Sequence, residues 1–233
     1  MEVENMKRLN GNQLKIIALV TMTIDHVGMY LLPQFVILRI IGRLSMPIFA
    51  YMIAEGCRYT KNKRYYILLT LGVGLICQVV YWIAMQSLYQ CILITFSLSI
   101  LLIYSIDYAV THKTVLSYLT LIIVSIAIFF VCHILPILLP GTDFSVSYGI
   151  YGVLLPIFAF LGKDKLQSLV LFAIGLVLMN YDLGNIQWYS LITLILLALY
   201  NGSRGKYKLK YLFYIYYPTH LAALYGIGLL LGK

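Results

Sequence analysis

Asp25 and His26 carry side chains that can do acid–base chemistry inside a membrane. They lie about eleven residues into the first long apolar run, roughly 16 Å along a helix that rises 1.5 Å per residue. An ionisable side chain near the middle of a bilayer costs about 2.5–3.5 kcal/mol on insertion scales, so a residue of this kind usually serves a site. Neighbouring helical residues point about 100° apart, so Asp25 and His26 should each face a different helix or cavity.

Three more ionisable residues lie where an apolar helix bundle would bury them. His220 comes at a similar depth in the last apolar run, and two midplane histidines together indicate a shared polar site. Arg39 and Arg43 are four residues apart, on one face of the second run. Arg39 is close enough to the interface for its guanidinium to reach water. Arg43 is deeper, which predicts that it pairs with an acid or binds an anionic group.

Histidine, aspartate and arginine at this depth suit more than one function. Histidine can act as a general base on an amine or a hydroxyl group, with a carboxylate tuning it. The same residue types form proton relays, so a proton-coupled small-molecule transporter is the alternative function. A non-enzymatic assembly factor, in which these residues only specify helix packing, is a third. The residues alone leave the three open.

Motifs for nucleotide hydrolysis, zinc chemistry and serine hydrolysis are missing from the sequence. It has no GxxxxGK[ST], no HExxH, no GxSxG and no paired Cys/His spacing. We therefore expect no metal and no nucleotide hydrolysis.

The composition is that of a membrane protein. The 233 residues are 62% hydrophobic and 11% charged, and the mean hydropathy is +0.91. Soluble domains carry about 25% charged residues, and disordered chains combine low hydrophobicity with high net charge, so both classes are excluded. We predict an all-α, polytopic membrane helix bundle that forms a single domain over residues 1–233.

Apolar runs of about the length that a bilayer requires recur along the chain. They predict about nine transmembrane helices, at residues 14–32, 36–57, 66–86, 91–110, 115–139, 146–162, 166–180, 186–200 and 211–231. The sixth to eighth are short or rich in glycine, and no internal repeat of the kind common in transporters is present.

Loops that carry basic residues alternate along the chain with loops that carry none, which places the basic loops at one end of the predicted helices. The net charge is +9, and the cations cluster at one end: Lys7, Arg8 and Lys15; Arg58, Lys61, Lys63 and Arg64; Lys113; Lys163 and Lys165; Arg204, Lys206, Lys208 and Lys210. The loops at the other end, around residues 34, 87–90, 140–145 and 181–185, contain no Lys or Arg. The positive-inside rule then predicts a cytoplasmic N-terminus in a multi-pass protein of the bacterial cell membrane, with lipid rather than nucleic acid as the partner of its basic residues.

Four blocks spread from the first apolar run to the last share a family pattern: LKIIALVTMTIDHVGMYL, GRLSMPIFAYMIAEG, SYGIYGVLLP and KYLFYIYYPTHLAAL. They resemble the TraX family, whose named member is the conjugation protein that acetylates the N-terminus of pilin. The resemblance implies an acetyltransferase that takes acetyl groups from cytoplasmic acetyl-CoA. The acceptor is an amine or hydroxyl on the membrane or external side, in a peptide N-terminus, a lipid or a glycan. Its identity and the oligomeric state stay open.

The resemblance also implies roles for the polar residues on the donor side and in catalysis. His26 would be the general base, Asp25 its orienting or electrostatic partner, and His220 a second polar contributor. Lys15 would contact the phosphates of the donor. A weaker likeness to the acyltransferase-3 membrane enzymes, whose first helix carries Arg-x10-His, supports this role, because ten residues also separate Lys15 from His26.

Six further residues receive binding roles from the same resemblance. They would assist donor binding (Arg58 and Lys61) or bind the acceptor (Arg43, Arg39, Tyr148 and Glu55). For Glu55, a salt bridge to Arg58 or Lys61 is an equally good explanation.

Overall fold

The computed structural model describes residues 8–207 and 209–230, which are helical apart from turns, loops and two isolated β-bridges. The predicted charges Lys7 and Lys208 lie outside the described residues. The helices are α1 (Gly11–Tyr30), α2 (Val36–Gly42), α3 (Ser45–Tyr59), α4 (Lys63–Met85), α5 (Ile92–His112), α6 (Val115–Leu138, with a π turn at Phe130–Ile134), α7 (Gly149–Leu161), α8 (Lys165–Leu183), α9 (Thr193–Ala198) and α10 (Lys210–Leu230). A 3₁₀ segment, Asn185–Ile192, leads into α9.

Five segments are long and apolar enough to cross a membrane: Val36–Tyr59 (α2 with α3), α4, α5, α6 and α8. Helices also occupy the other four predicted positions. Of these, α1 and α10 carry polar residues, while α7 and Asn185–Ala198 are shorter. The all-helical membrane fold is confirmed for the described residues. Nine crossings and a cytoplasmic N-terminus stay predictions.

Helix α1 packs against α2, α3 and α10. These helices carry three of the predicted site residues, Arg39, Glu55 and His220. On the far side of α3, helix α7 packs against α3, α5 and α8. The apolar core lies between these helices and includes the fully buried side chains of Leu14, Ile48, Leu155 and Phe172. Helices α4 and α6 expose most of their apolar surface, as expected for helices that face lipid.

The second predicted helix is interrupted between α2 and α3, where Arg43 and Leu44 form a turn. The Arg43 and Leu44 N–H groups donate to the Ile40 and Ile41 carbonyls, three residues back, at 3.2 and 3.3 Å. This tighter winding ends α2 and turns the Arg43 side chain inward, leaving the residue only 8% exposed.

Small residues let α1 and α2 approach closely. A Cβ atom at Gly42 would overlap the Asp25 side chain, and one at Gly28 would lie 2.7 Å from the Leu38 Cβ. Both glycines lie within the two helices, so their use here reflects space rather than backbone conformation.

We expect Gly42→Ala to destabilise the protein by about 1–3 kcal/mol, because the added methyl group must displace Asp25 or separate the helices. The matched control is Gly72→Ala in α4, where a Cβ atom would meet nothing within 4 Å. Alanine should stabilise that helix by about 0.5–1 kcal/mol. Thermal unfolding of the detergent-purified variants measures both. Equal unfolding temperatures for the two would contradict the close approach of α1 and α2.

Candidate functional site

Two cavities enter the bundle from opposite ends of its helices. The Asp25 cavity, of about 550 Å³, is lined by Asp25, His26, Arg39 and Arg43, and by residues from the loops that carry no Lys or Arg. The Lys15 cavity, of about 440 Å³, is lined by Lys15 and by residues from the lysine- and arginine-rich end. Four residues line both cavities, Met22, Phe49, Ile92 and Tyr217, and we call them the shared wall.

Asp25 holds two arginines at the wall of its cavity. Its Oδ2 accepts from Arg39 Nη1 at 2.8 Å, and its Oδ1 accepts from Arg43 Nη2 at 2.5 Å. Arg43 Nε also donates to the Arg39 carbonyl at 3.1 Å, which ties the turn after α2 to the helix itself. The cluster is largely buried, with 14% of the Asp25 side chain and 9% of the Arg43 side chain exposed.

Gln187, in the 3₁₀ segment before α9, completes the surroundings of Arg43. Its Oε1 accepts from Arg43 Nη1 at 3.1 Å, and the residue is 2% exposed. Since a guanidinium only donates, the oxygen of the amide must face it and the nitrogen must point elsewhere. That Nε2 is buried and has no hydrogen-bond partner among the described residues.

His26 and His220 form a hydrogen-bonded pair between α1 and α10. The Nδ1 of His26 lies 2.8 Å from the Nε2 of His220, whose Nδ1 lies 2.9 Å from the Tyr216 carbonyl oxygen. A carbonyl can only accept, so Nδ1 of a neutral His220 carries the proton and its Nε2 accepts from His26. The Nε2 of a neutral His26 then has a free lone pair. His26 lines the Asp25 cavity, so the pair leaves a base there.

The sequence assigned the orientation of His26 to Asp25, and the structure gives that position to His220. Both Asp25 oxygens are engaged by guanidinium groups, because α1 turns Asp25 towards α2 and turns His26 towards α10. The expectation that the two adjacent residues face different neighbours agrees with this arrangement. Asp25 does not orient His26 through a hydrogen bond, and its electrostatic role towards His26 stays a prediction.

Tyr148 and two loops close the Asp25 cavity away from the shared wall. Tyr148 precedes α7 with a φ of 59°, in the left-handed region, and lines the cavity with Ser147. Paired hydrogen bonds join the loops, from Gln90 N–H to the Ser145 carbonyl and from Ser147 N–H to the Gln90 carbonyl.

Asp143 adds a second link between the same loops. It accepts from the Ser87 hydroxyl and the Leu88 N–H, and these hydrogen bonds lower the pKa of the Asp143 carboxyl. The loops are therefore fixed to each other at the mouth of the cavity, and the Asp143 charge is exposed to solvent there.

The Lys15 cavity has two cations, Lys15 and Arg204. Backbone hydrogen bonds bring the second one close, because Gly11 N–H donates to the Ser203 carbonyl and Asn12 N–H donates to that of Arg204. The start of α1 is thus held by the loop that carries Arg204. Lys15 itself lies 5.4 Å from the centre of the Phe213 ring, a cation–π contact with α10.

The other two residues predicted to bind the donor lie elsewhere. Arg58 donates to the Ala159, Phe160 and Gly162 carbonyls and to Ser168, so its guanidinium caps the end of α7. Neither it nor the exposed Lys61 lines the cavity within the part of the chain that the structure describes. The reason is local, since the end of α7 lies within reach of α3 and offers Arg58 carbonyl acceptors.

Glu55 was expected on the acceptor side and instead lines the Lys15 cavity. It forms a salt bridge to Arg58 at 3.0 Å, which is the alternative that the sequence had left open.

Three residues of the two cavities were not singled out from the sequence: Arg204, Gln187 and Tyr217. Gln187 is a polar residue in a short apolar run, a signal that could have marked it. Arg204 looked like any other cation of a basic loop, and Tyr217 like one of many tyrosines near helix ends. Nothing in their spacing distinguishes them.

Comparisons with known proteins agree with the pattern of the four sequence blocks. A family model described as TraX protein matches residues 10–228. The probable fimbrial assembly protein FimC, serogroup H1, of Dichelobacter nodosus is 25% identical over 237 aligned positions, which cover 91% of this chain and 93% of that protein. A 38-residue stretch is 55% identical to an uncharacterized protein of Rickettsia prowazekii (strain Madrid E) and covers 16% of this chain and 15% of that relative. No solved structure matches the chain.

Arg58→Ala should destabilise the fold, and in a Glu55→Gln background, where residue 55 carries no charge in the Lys15 cavity, it should not change acetyl-CoA affinity. The substitution removes charge-assisted hydrogen bonds worth about 1.5–3 kcal/mol each at most and leaves the last carbonyls of α7 unpaired. Lys61→Ala, at an exposed position, should change stability by less than about 0.5 kcal/mol. Thermal unfolding and calorimetric titration with acetyl-CoA separate the two effects. A Glu55→Gln/Arg58→Ala protein that matches Glu55→Gln in stability but binds acetyl-CoA more weakly would restore the expected donor role of Arg58.

Proposed function

Because the chain belongs to the TraX family, we propose that it is an integral-membrane acetyltransferase. It moves an acetyl group from cytoplasmic acetyl-CoA to an amine or hydroxyl of an acceptor on the membrane or external side. The observation that carries this proposal is the position of His26. A histidine with a free ring nitrogen lines one cavity, and four residues separate that cavity from a second one that contains two cations.

Lys15 and Arg204 are the donor-binding residues in this proposal. Their charges suit the phosphates of acetyl-CoA, and the 440 Å³ cavity falls within the usual range of small-molecule sites, about 300–1,000 Å³. The cavity leads from these cations to the shared wall. A long, narrow acyl arm fits such a shape, because its charged end stays at the basic end of the bundle and its thioester reaches the interior.

His26 is the general base. Its Nε2 takes the proton of the attacking amine or hydroxyl while the nitrogen or oxygen bonds to the carbonyl carbon of the acetyl group. The carbon–sulfur bond then breaks, and the departing thiolate receives the proton from the His26 imidazolium. His220 is a positioning residue, since its hydrogen bonds to His26 and to the Tyr216 carbonyl hold the His26 tautomer that leaves Nε2 unprotonated.

The Asp25 cavity would hold the acceptor. It adjoins His26 and is closed by polar groups, among them the Arg39, Arg43 and Tyr148 side chains. The similar Dichelobacter nodosus protein is named as a probable fimbrial assembly protein, which makes the N-terminus of a pilin-like subunit one candidate. A lipid or a glycan with a free amine or hydroxyl is equally compatible with the base.

Lys15→Ala and His26→Gln should fail at different steps. Without the Lys15 charge, acetyl-CoA should bind about tenfold or more weakly, as expected for the loss of a charged hydrogen bond. Without the base, binding should persist and transfer should fall about 10²–10⁴-fold. The measurements are calorimetric titration of the detergent-purified variants and transfer of radiolabelled acetyl groups to a bacterial membrane extract.

Lys61→Ala serves as the control for charge. Because Lys61 is exposed, its substitution should leave both the acetyl-CoA affinity and the rate of acetyl transfer unchanged. Absence of acetyl-CoA binding by the folded wild-type protein would overturn the proposal and favour the transporter alternative. A His26→Gln protein that loses folded yield but retains transfer per folded molecule would instead favour a role in packing.

A further inference from the structure

The buried ion cluster of the Asp25 cavity has more positive than negative charge. Asp25 contributes one carboxylate, and Arg39 and Arg43 contribute two guanidinium groups, which leaves a surplus of one positive charge among these three residues. The Arg39 side chain is 27% exposed, whereas that of Arg43 is only 9% exposed, so the Arg43 charge is the one held away from water. Taking an uncompensated charge out of water costs several kcal/mol, so buried charges are normally paired. Asp143, the other carboxylate that lines the cavity, is at the exposed mouth, where its oxygens accept from Ser87 and Leu88.

Gln187 adds a hydrogen-bond donor that lacks an acceptor. Its oxygen faces Arg43, so the buried group without a partner is the Nε2 amide nitrogen. A buried donor without a partner costs about 1–3 kcal/mol. Gln187 and Arg43 line the same cavity, and each carries an N–H group that no described residue accepts. The group that would satisfy them must accept hydrogen bonds and carry negative charge.

The start of α7 strengthens this preference. The helix has 13 residues and begins after Tyr148. The Gly149 N–H donates to the Val146 carbonyl at 2.8 Å, and no described side chain caps the N–H groups that follow. Ser147 and Tyr148, at this end, line the cavity. Helix N-termini favour negative charge, because their free N–H groups and the helix dipole both attract anions.

From these three features we infer that the Asp25 cavity binds an oxyanion, a phosphate or carboxylate, at Arg43 and Gln187. The planar donors of a guanidinium match the paired oxygens of such a group better than a spherical ion. If the cavity holds the acceptor, as proposed above, this names the class of acceptor: a molecule in which a phosphate or carboxylate lies near the amine or hydroxyl that is acetylated.

Gln187→Glu is the variant that tests the anion site. A glutamate of the same length can still accept from Arg43, but it neutralises the surplus charge and removes the free donor. The probe is inorganic phosphate, added at constant ionic strength to protein in phosphatidylcholine nanodiscs, with thermal stabilisation as the readout. We expect phosphate to stabilise the wild-type protein and the apparent affinity to fall about tenfold or more in Gln187→Glu.

Lys15→Ala is the matched control, because phosphate also suits the cations of the Lys15 cavity. The anion site predicts that stabilisation by phosphate survives Lys15→Ala. Stabilisation that disappears in Lys15→Ala and survives in Gln187→Glu would overturn the inference. Gln187→Leu is a second variant, for use if the glutamate prevents folding, and it too should weaken the response, because it removes the free donor.

Two arms distinguish a lipid headgroup from a soluble anion. Nanodiscs that contain phosphatidylglycerol should stabilise the wild-type protein but not Gln187→Glu if the oxyanion belongs to a lipid, whereas inorganic phosphate alone suffices if it belongs to a soluble acceptor. No response to either probe would overturn the inference. Titration of the same samples with acetyl-CoA keeps the two proposals separate. Acetyl-CoA binding without a response to either anion probe overturns the anion site alone. A response to an anion probe without acetyl-CoA binding overturns only the donor assignment.

Discussion

The ion cluster of Asp25, Arg39 and Arg43 constrains the rest of the structure. Charges placed this deeply in an apolar bundle persist only when they are paired at short range, and pairing requires α1 and α2 to touch. Gly42 supplies the space for that contact, and the turn after α2 directs Arg43 inward. Once α1 is fixed against α2 through Asp25, the geometry of a helix turns the next residue, His26, towards α10.

The same arrangement separates two environments within a few turns of α1. Lys15 lies in a cavity at the basic end of the bundle, and His26 lies in the cavity beyond Met22. Helix α10 contributes to both through Tyr217 in the shared wall and through His220 behind His26. In the proposed reaction, the donor would enter from the Lys15 side and the acceptor from the Asp25 side, and the two would meet at the shared wall.

Much of this could be predicted from the sequence, because helical periodicity fixes which residues share a face. The positions of the helices, the depth of Asp25 and His26, and the expectation of a partner for Arg43 all follow from spacing and hydrophobicity. Periodicity does not say which helix lies against a face. For that reason the spacing does not reveal that Asp25 pairs with the two arginines or that Arg58 caps α7. The roles that the family resemblance implies for Asp25 and Arg58 do not reveal these contacts either.

The central claim is that a donor thioester entering past Lys15 reaches the wall shared with the Asp25 cavity, and disulfide trapping tests it most directly. Phe49→Cys places a thiol in the shared wall, where CoA disulfide would form a mixed disulfide by exchange. Mass spectrometry should detect one CoA on this variant, none on the wild-type protein with its four buried cysteines, and labelling about tenfold or more slower when Lys15→Ala is added. Labelling at the same rate with and without Lys15→Ala, or labelling that occurs instead at Met85→Cys in the Asp25 cavity, would contradict entry of the donor from the Lys15 side.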